Sequence, residues 1–158
     1  MVDPLDEAGI WLPARLWEQM RADVQARLPQ EACGLVGGLQ RRALQVYPVA
    51  NALHSPVRYR MEPDGQVRVF LELERRGWDL LAIYHAHPAG PGQPSPTDLA
   101  EAAYPEAVHL IWSPQAGGGI GGRRPTERRR PTDHRFACRG FLIRAGQFSE
   151  IPVWVVEE

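Results

Sequence analysis

Lysine is absent from this 158-residue chain, and all eighteen of its basic residues are arginine. Codon bias in a GC-rich genome is the simplest cause. Avoidance of lysine by a protein that works on lysine conjugates is a weaker one. An excess of either charge is also missing: nineteen acidic residues leave a net charge of −1. No global field therefore points to nucleic acid or to an anionic membrane. Cysteine is scarce, and Cys33 and Cys138 form neither a CxxC pair nor a zinc-ribbon spacing. They are expected to be buried free thiols in a reducing compartment. No apolar run approaches the roughly 20 residues needed to span a bilayer. The opening "MVDPLDEAG" is acidic and lacks the basic and apolar regions of a signal peptide. A cytoplasmic location without a membrane partner is expected.

What is present suits one globular domain over residues 1–158, with 44% hydrophobic and 23% charged residues. Leu12, Leu16, Met20, Val24 and Leu28 recur every fourth residue, which predicts a helix over 12–28 started near Pro13 and stopped near Pro29. "ACGLVGG", "ALQVYPVAN" and "PVRYRMEP" predict three strands, the last with weak alternation. "DGQVRVFLELERRG" predicts a helix ending at Gly77. "WDLLAIYHAHP" has the continuous apolar character of an inner strand covered on both faces. A short helix "SPTDLAEAAY" and a strand "AVHLIWS" follow. "FACRGFLIRAG" and "FSEIPVWVVEE" predict an antiparallel pair around Gly146. This order argues α/β or α+β with a mixed sheet, not a doubly wound fold.

Residues 115–135, "QAGGGIGGRRPTERRRPTDHR", keep no period, and Gly, Pro and Arg dominate them. They are expected to form a long mobile surface loop. A nucleic-acid or acidic partner for Arg128, Arg129 and Arg130 is weighed against a solvated insertion, and the solvated insertion is favoured.

The chemistry concentrates in "HAHPAGPGQPSPTD". Side chains at i and i+2 of a strand share a face, so His85 and His87 can reach one metal ion while Ala86 points away. Imidazole suits zinc, with copper, nickel and iron as alternatives. A catalytic zinc takes three protein ligands and keeps one position for water. Asp98 is the candidate third ligand. Ser95-Pro96-Thr97-Asp98 also makes a complete helix start without any metal, with Ser95 as N-cap and Asp98 returning the bond. The two readings are compatible, because a helix start is a rigid place to hold a ligand.

These residues resemble the His-x-His-Pro-x(6)-Ser-x-x-Asp signature of the JAMM, or MPN-plus, metalloproteases, with six residues between Pro88 and Ser95. "QEACGLVGG" is similar to the family's glutamate-bearing segment, with Glu31 as the match. "NALHSP" (51–56) is similar to its Asn-x-x-x-x-Pro, and "GQFSEIPVWVV" to its closing strand. Coverage is roughly residues 12–156. Ala86 replaces the usual serine between the histidines, at a position that faces away from the metal.

The resemblance implies a mixed, curved β-sheet flanked by helices, with cytidine-deaminase-like layering and the metal near the sheet edge. It implies one Zn2+ per chain, bound by His85, His87 and Asp98 with a catalytic water. Glu31 would be general base, and Ser95 would stabilise the oxyanion, at about 3 kcal/mol for one such donor. Capping and oxyanion stabilisation would draw on the same Ser95 hydroxyl. The implied activity is hydrolysis of an amide or isopeptide bond at the Gly-Gly tail of a ubiquitin-like or sulfur-carrier β-grasp protein, as in the prokaryotic stand-alone members. A conjugate of a small modifier and a carrier adduct both fit. The alternative is a catalytically silent MPN-type interaction scaffold with a structural metal. His109 is a weaker candidate ligand, His54 and His134 lack ligand spacing, and Cys33 is expected to be packed rather than nucleophilic.

Overall fold

The computed structural model describes residues 9–114, 121–122 and 136–157. In chain order the elements are β1 (Ile10–Pro13), α1 (Ala14–Arg27), β2 (Cys33–Leu39), β3 (Arg42–Val49), α2 (Pro63–Arg76), β4 (Asp79–Ala86), α3 (Pro96–Glu101), β5 (Val108–Ser113), β6 (Gly121–Gly122), β7 (Ala137–Arg144), β8 (Gln147–Ile151) and β9 (Val153–Val156). The strands form one mixed sheet in the order β6-β9-β1-β3-β2-β4-β5-β7-β8. β4 is an inner strand, antiparallel to β2 and parallel to β5.

Each long helix covers one face of this sheet. On α1 the stripe Leu16, Met20 and Val24 is buried against Val36, Ala82, Tyr84, Leu110 and Trp112. The ends of that stripe fall outside the helix: Leu12 is buried in β1, and Leu28 is the exposed C-cap residue. On the opposite face α2 buries Val69 and Leu73 against Leu35 and Ile83. Its start is defined by Glu62, whose carboxylate accepts from the Asp64 and Gly65 N–H groups at 3.0 and 2.6 Å, with Pro63 as the first helical residue. Its end is defined by Gly77 in the left-handed conformation, φ 70°.

β2 lies very close to its neighbours because it is glycine-rich. A Cβ on Gly34 would meet the Tyr84 ring and stand 2.6 Å from the Tyr47 carbonyl oxygen. The Tyr84 hydroxyl in turn donates to Asp23 on α1 at 2.8 Å.

Three segments depart from expectation. Residues 56–63 form no strand: the only pairing there is an isolated bridge between Asn51 and Met61. Two backbone bonds flank that bridge, from Ala52 N–H to the Arg60 carbonyl and from Glu62 N–H to the Ala50 carbonyl, and Asn51 side-chain atoms serve the Arg58 carbonyl and the Arg60 N–H. β1, unread in the sequence, is a four-residue parallel strand against β9. The last predicted strand splits at Pro152: Ile151 pairs with Gly140 of β7, whereas Val153 pairs with Ile10 of β1. Between β7 and β1 the sheet order places four strands, so this bent arm spans the two sides of a strongly curved sheet. Gly140 packs against Val153 so closely that a Cβ there would lie 2.8 Å from its Cγ2. Of the predicted 115–135 loop, only Gly121 and Gly122 are described, as β6; the rest, with Arg128–Arg130 and His134, lies outside the described residues.

Candidate metal centre

The register of β2 on β4 assembles the centre. Cys33 pairs with His85, and the Ala86 N–H donates to the Ala32 carbonyl at 3.0 Å, which brings Glu31 alongside His87. Glu31, His85 and His87 therefore share the face that also carries Leu35 and Ile83. All three are buried. The histidines sit at the C-terminal end of an inner strand, so the centre lies at the edge of the sheet formed by the strand ends.

Asp98 arrives from the start of α3. The Ser95 hydroxyl oxygen accepts from the Asp98 N–H at 3.0 Å, and Asp98 Oδ2 accepts from the Ser95 N–H at 2.9 Å, a closed capping box. The same Oδ2 lies 3.2 Å from His85 Nε2 and 3.1 Å from His87 Nε2. Cap and candidate ligand are one atom. Capping uses an acceptor lone pair of Ser95 Oγ, so the hydroxyl proton stays available for donation. The two uses expected to compete are compatible.

The donor set fits a cation. His87 Nδ1 lies 2.8 Å from the Pro91 carbonyl oxygen, which can only accept. Nδ1 therefore carries the proton, and Nε2 of the neutral ring presents a lone pair. That lone pair faces Asp98 Oδ2 and stands 3.0 Å from His85 Nε2. Acceptors converging this closely repel one another unless a proton or a metal ion lies among them. The three ligand atoms all lie within 4.8 Å of one another. The charge balance agrees. Burial alone would raise the Asp98 carboxyl, yet the adjoining His85 and His87 rings, which donate to it only when protonated, and the Ser95 N–H hold it far below the usual carboxylate range. Burial pushes His85 down. For His87, burial is outweighed by Asp98 and the Pro91 carbonyl, which raise it.

Glu31 stands beside this cluster without joining it. Burial, with a smaller contribution from the Asp98 charge, lifts its carboxyl to about 7 against the opposing pull of His87. Its backbone is pinned on both sides: its N–H donates to the Ser55 carbonyl at 2.8 Å, and its carbonyl accepts from Asn51 Nδ2 at 3.0 Å. The same Asn51 amide donates to the Arg58 carbonyl at 2.9 Å, and its Oδ1 accepts from the Leu53 and Arg60 N–H groups. One buried asparagine thus holds both Glu31 and the 51–60 loop.

That loop carries a residue the sequence reading passed over. Tyr59 stacks on His85 with ring centroids 4.5 Å apart and planes 24° apart. Its only sequence signal was an aromatic in a weakly alternating segment. Pro91, whose carbonyl sets the His87 tautomer, was hidden in a turn. His109 is on β5, buried on the same side of the sheet, and outside the ligand cluster; burial drives it down to about 4, so it is neutral. His54 lies on the exposed loop and is not among the clustered ligand atoms. Cys33 donates to the Val49 carbonyl at 3.3 Å, and burial pushes its thiol up to about 12, as a packed cysteine requires.

Comparison with known proteins agrees with this architecture. Residues 13–130 match the family of prokaryotic homologues of the JAB domain. A Thermus thermophilus protein named "Probable TtuB-protein conjugate cleaving protease" is 40% identical over 96 residues, 60% of this chain and 64% of its own length. The chain thus spans somewhat under two thirds of that relative. The CysO-cysteine peptidase of Mycobacterium tuberculosis is 31% identical over 147 residues, 92% of this chain and 90% of that one. A solution structure of a protein from Desulfitobacterium hafniense superimposes with a TM-score of 0.75 at 31% identity, covering 94% of each chain. On its fold and its sequence, the chain belongs to the prokaryotic JAB family.

Proposed function

We propose that the chain is a zinc-dependent peptidase or isopeptidase that hydrolyses the bond at the C-terminal Gly-Gly tail of a ubiquitin-like or sulfur-carrier protein. The observation that carries this reading is the convergence of His85 Nε2, His87 Nε2 and Asp98 Oδ2 beside a buried carboxyl with a pKa near neutrality. Two imidazoles and a carboxylate suit zinc among the available divalent ions, and three ligands leave a position open. Bound there, zinc would lower the pKa of a water to about 7 and polarise the scissile carbonyl.

The chain's own residues supply the rest. Glu31, poised near pH 7, takes the proton of the attacking water and delivers it to the leaving nitrogen. The water oxygen adds to the carbonyl carbon, the C–N bond breaks, and the products are a carboxylic acid and an amine. Ser95 directs its free O–H to the carbonyl oxygen as negative charge develops. Tyr59 and the Pro91 carbonyl orient the two imidazoles. The similarity to a conjugate-cleaving protease and to a CysO-cysteine peptidase supports a carrier-tail substrate. Among the described residues no helix is long and apolar enough to cross a membrane, and both cysteines are free thiols. We place the protein in the cytoplasm, as one domain.

The test is incubation of the zinc-reconstituted protein with a β-grasp carrier extended beyond Gly-Gly, with the cut located by mass spectrometry. Cleavage directly after the second glycine is expected. Glu31→Gln should keep about one zinc per chain and lose roughly 10²–10⁴-fold in rate, whereas His85→Ala should lose the metal as well. Failure to take up zinc, or full activity of Glu31→Gln, would overturn the reading.

A further inference from the structure

Two features adjoin the centre. One is a cavity of about 300 Å³ whose lining includes Tyr59, Arg60, Met61, Asp98 and His109; it belongs to the site already described. The other is the turn Ala89 to Pro94, which joins the histidine strand to the start of α3.

The turn contains two glycines in different surroundings. A Cβ on Gly90 would come no nearer than 3.5 Å to His87 Cβ, an ordinary van der Waals contact. A Cβ on Gly92 would stand 2.6 Å from Ser113 Oγ, closer than two such atoms pack. Gly92 is buried, and Ser113 is 1% exposed. Arg139 Cδ borders the same point at 3.5 Å, and its guanidinium is held by Glu150 through bonds of 3.2 and 2.7 Å.

Gly92 is therefore seated on Ser113, the last residue of β5, one position beyond Pro91. The Pro91 carbonyl oxygen lies 2.8 Å from His87 Nδ1. The His87 backbone is tied to the same strand end, because its N–H donates to the Trp112 carbonyl at 2.8 Å. Adjacent residues of β5 thus hold the backbone of one candidate ligand and, through Gly92 and Pro91, its ring. A side chain at position 92 must displace Ser113 or lift the turn, and lifting the turn draws the Pro91 carbonyl off the ring.

We propose that Gly92 is a positioning residue for His87: the lack of a side chain against Ser113 seats the turn so that the Pro91 carbonyl meets Nδ1 and Nε2 is aimed into the centre. The inference rests on the metal centre proposed above. It adds a requirement at a position that the x(6) spacing leaves open.

The experiment compares wild type, Gly90→Ala, Gly92→Ala, Ser113→Ala and the Gly92→Ala/Ser113→Ala double variant. Zinc affinity is read by competition with a chromophoric chelator, and the His87 Nδ1–H resonance is read by NMR on the metal-free proteins. Ser113→Ala removes the hydroxyl and leaves contacts of 3.5 Å around a Cβ at 92. Gly92→Ala is expected to weaken zinc binding about 10–100-fold, the usual effect of losing a ligand's outer hydrogen-bond partner, and to lose the slowly exchanging Nδ1–H. Gly90→Ala and Ser113→Ala should match wild type, and the double variant should recover both signals. Wild-type affinity in Gly92→Ala, a double variant no better than the single one, or an equal loss in Gly90→Ala would overturn the proposal. A Gly92→Ala chain that no longer folds by circular dichroism would overturn it too, because the contact would then serve the whole domain and not one ring. If wild type takes up no zinc, the metal reading fails and the resonance decides alone. Its loss in Gly92→Ala with recovery in the double variant supports the positioning role, and its retention in Gly92→Ala overturns it.

Discussion

Glu31 is a carboxyl group that folding takes out of water and leaves beside the negative Asp98, and both effects favour its protonated form. In the unfolded chain it titrates near 4.5, and in the metal-free folded chain near 7. Below pH 4.5 it is protonated in both states and costs nothing. Between the two values only the unfolded chain releases the proton, so stability falls as pH rises, by up to about 3 kcal/mol, and levels off above 7. His87, also raised on folding, acts in the same direction. Thermal denaturation of chelator-treated protein from pH 4.5 to 8 should show this decline, and Glu31→Gln should flatten it. An identical slope in wild type and variant would contradict the buried carboxyl. The clustering of His85, His87 and Asp98 was legible in the sequence because strand alternation and a helix cap are local rules. Tyr59 was not, since its partner His85 lies 26 positions away and no local pattern announces a stack.

At the level of elements, the segment from Asn51 to Met61 shows how a side chain can supplement a minimal backbone pairing. Its weak alternation suggested a strand, but the pairing stops at the Asn51–Met61 bridge, and the Asn51 side chain serves the Arg58 carbonyl and the Arg60 N–H. Asn51→Ala would leave the buried Glu31 carbonyl without its amide donor, at about 1–3 kcal/mol. It should lower the melting temperature and slow hydrolysis, while zinc stoichiometry stays near one because no ligand is moved. Loss of zinc on this substitution would mean that the loop supports the ligands themselves. By contrast, α1 and α2 were legible from apolar spacing and from Pro63 and Gly77, signals contained within a few turns. Pro152 was misread because a proline can sit at a strand edge or divide two strands, and the choice depends on β1, 140 residues earlier.

Taken whole, the molecule gathers its centre from three separate stretches of chain: residue 31, residues 85–87 and residues 95–98. Binding a cation there can occur only in the folded state, so the ion acts on global stability. Zinc at about 100-fold its Kd adds about 2.7 kcal/mol, which for a domain of this size corresponds to roughly 5–10 °C in Tm. Differential scanning calorimetry with and without a chelator should show that gap, and His85→Ala should abolish it. A chelator-insensitive melting temperature in the wild type would show that the cluster holds no ion tightly.

The curved sheet and its helices carry a centre whose buried carboxyl and whose neighbouring cavity wall hang from the same amide. Asn51 anchors the Glu31 backbone on one side and, through Arg58 and Arg60, the stretch that lines the cavity on the other. Each shift of that stretch pulls on the hydrogen bonds that position Glu31. Changes of side chain at residues 58–60 are therefore open to evolution, whereas insertions or deletions between Asn51 and Met61 would displace the carboxyl from the cluster.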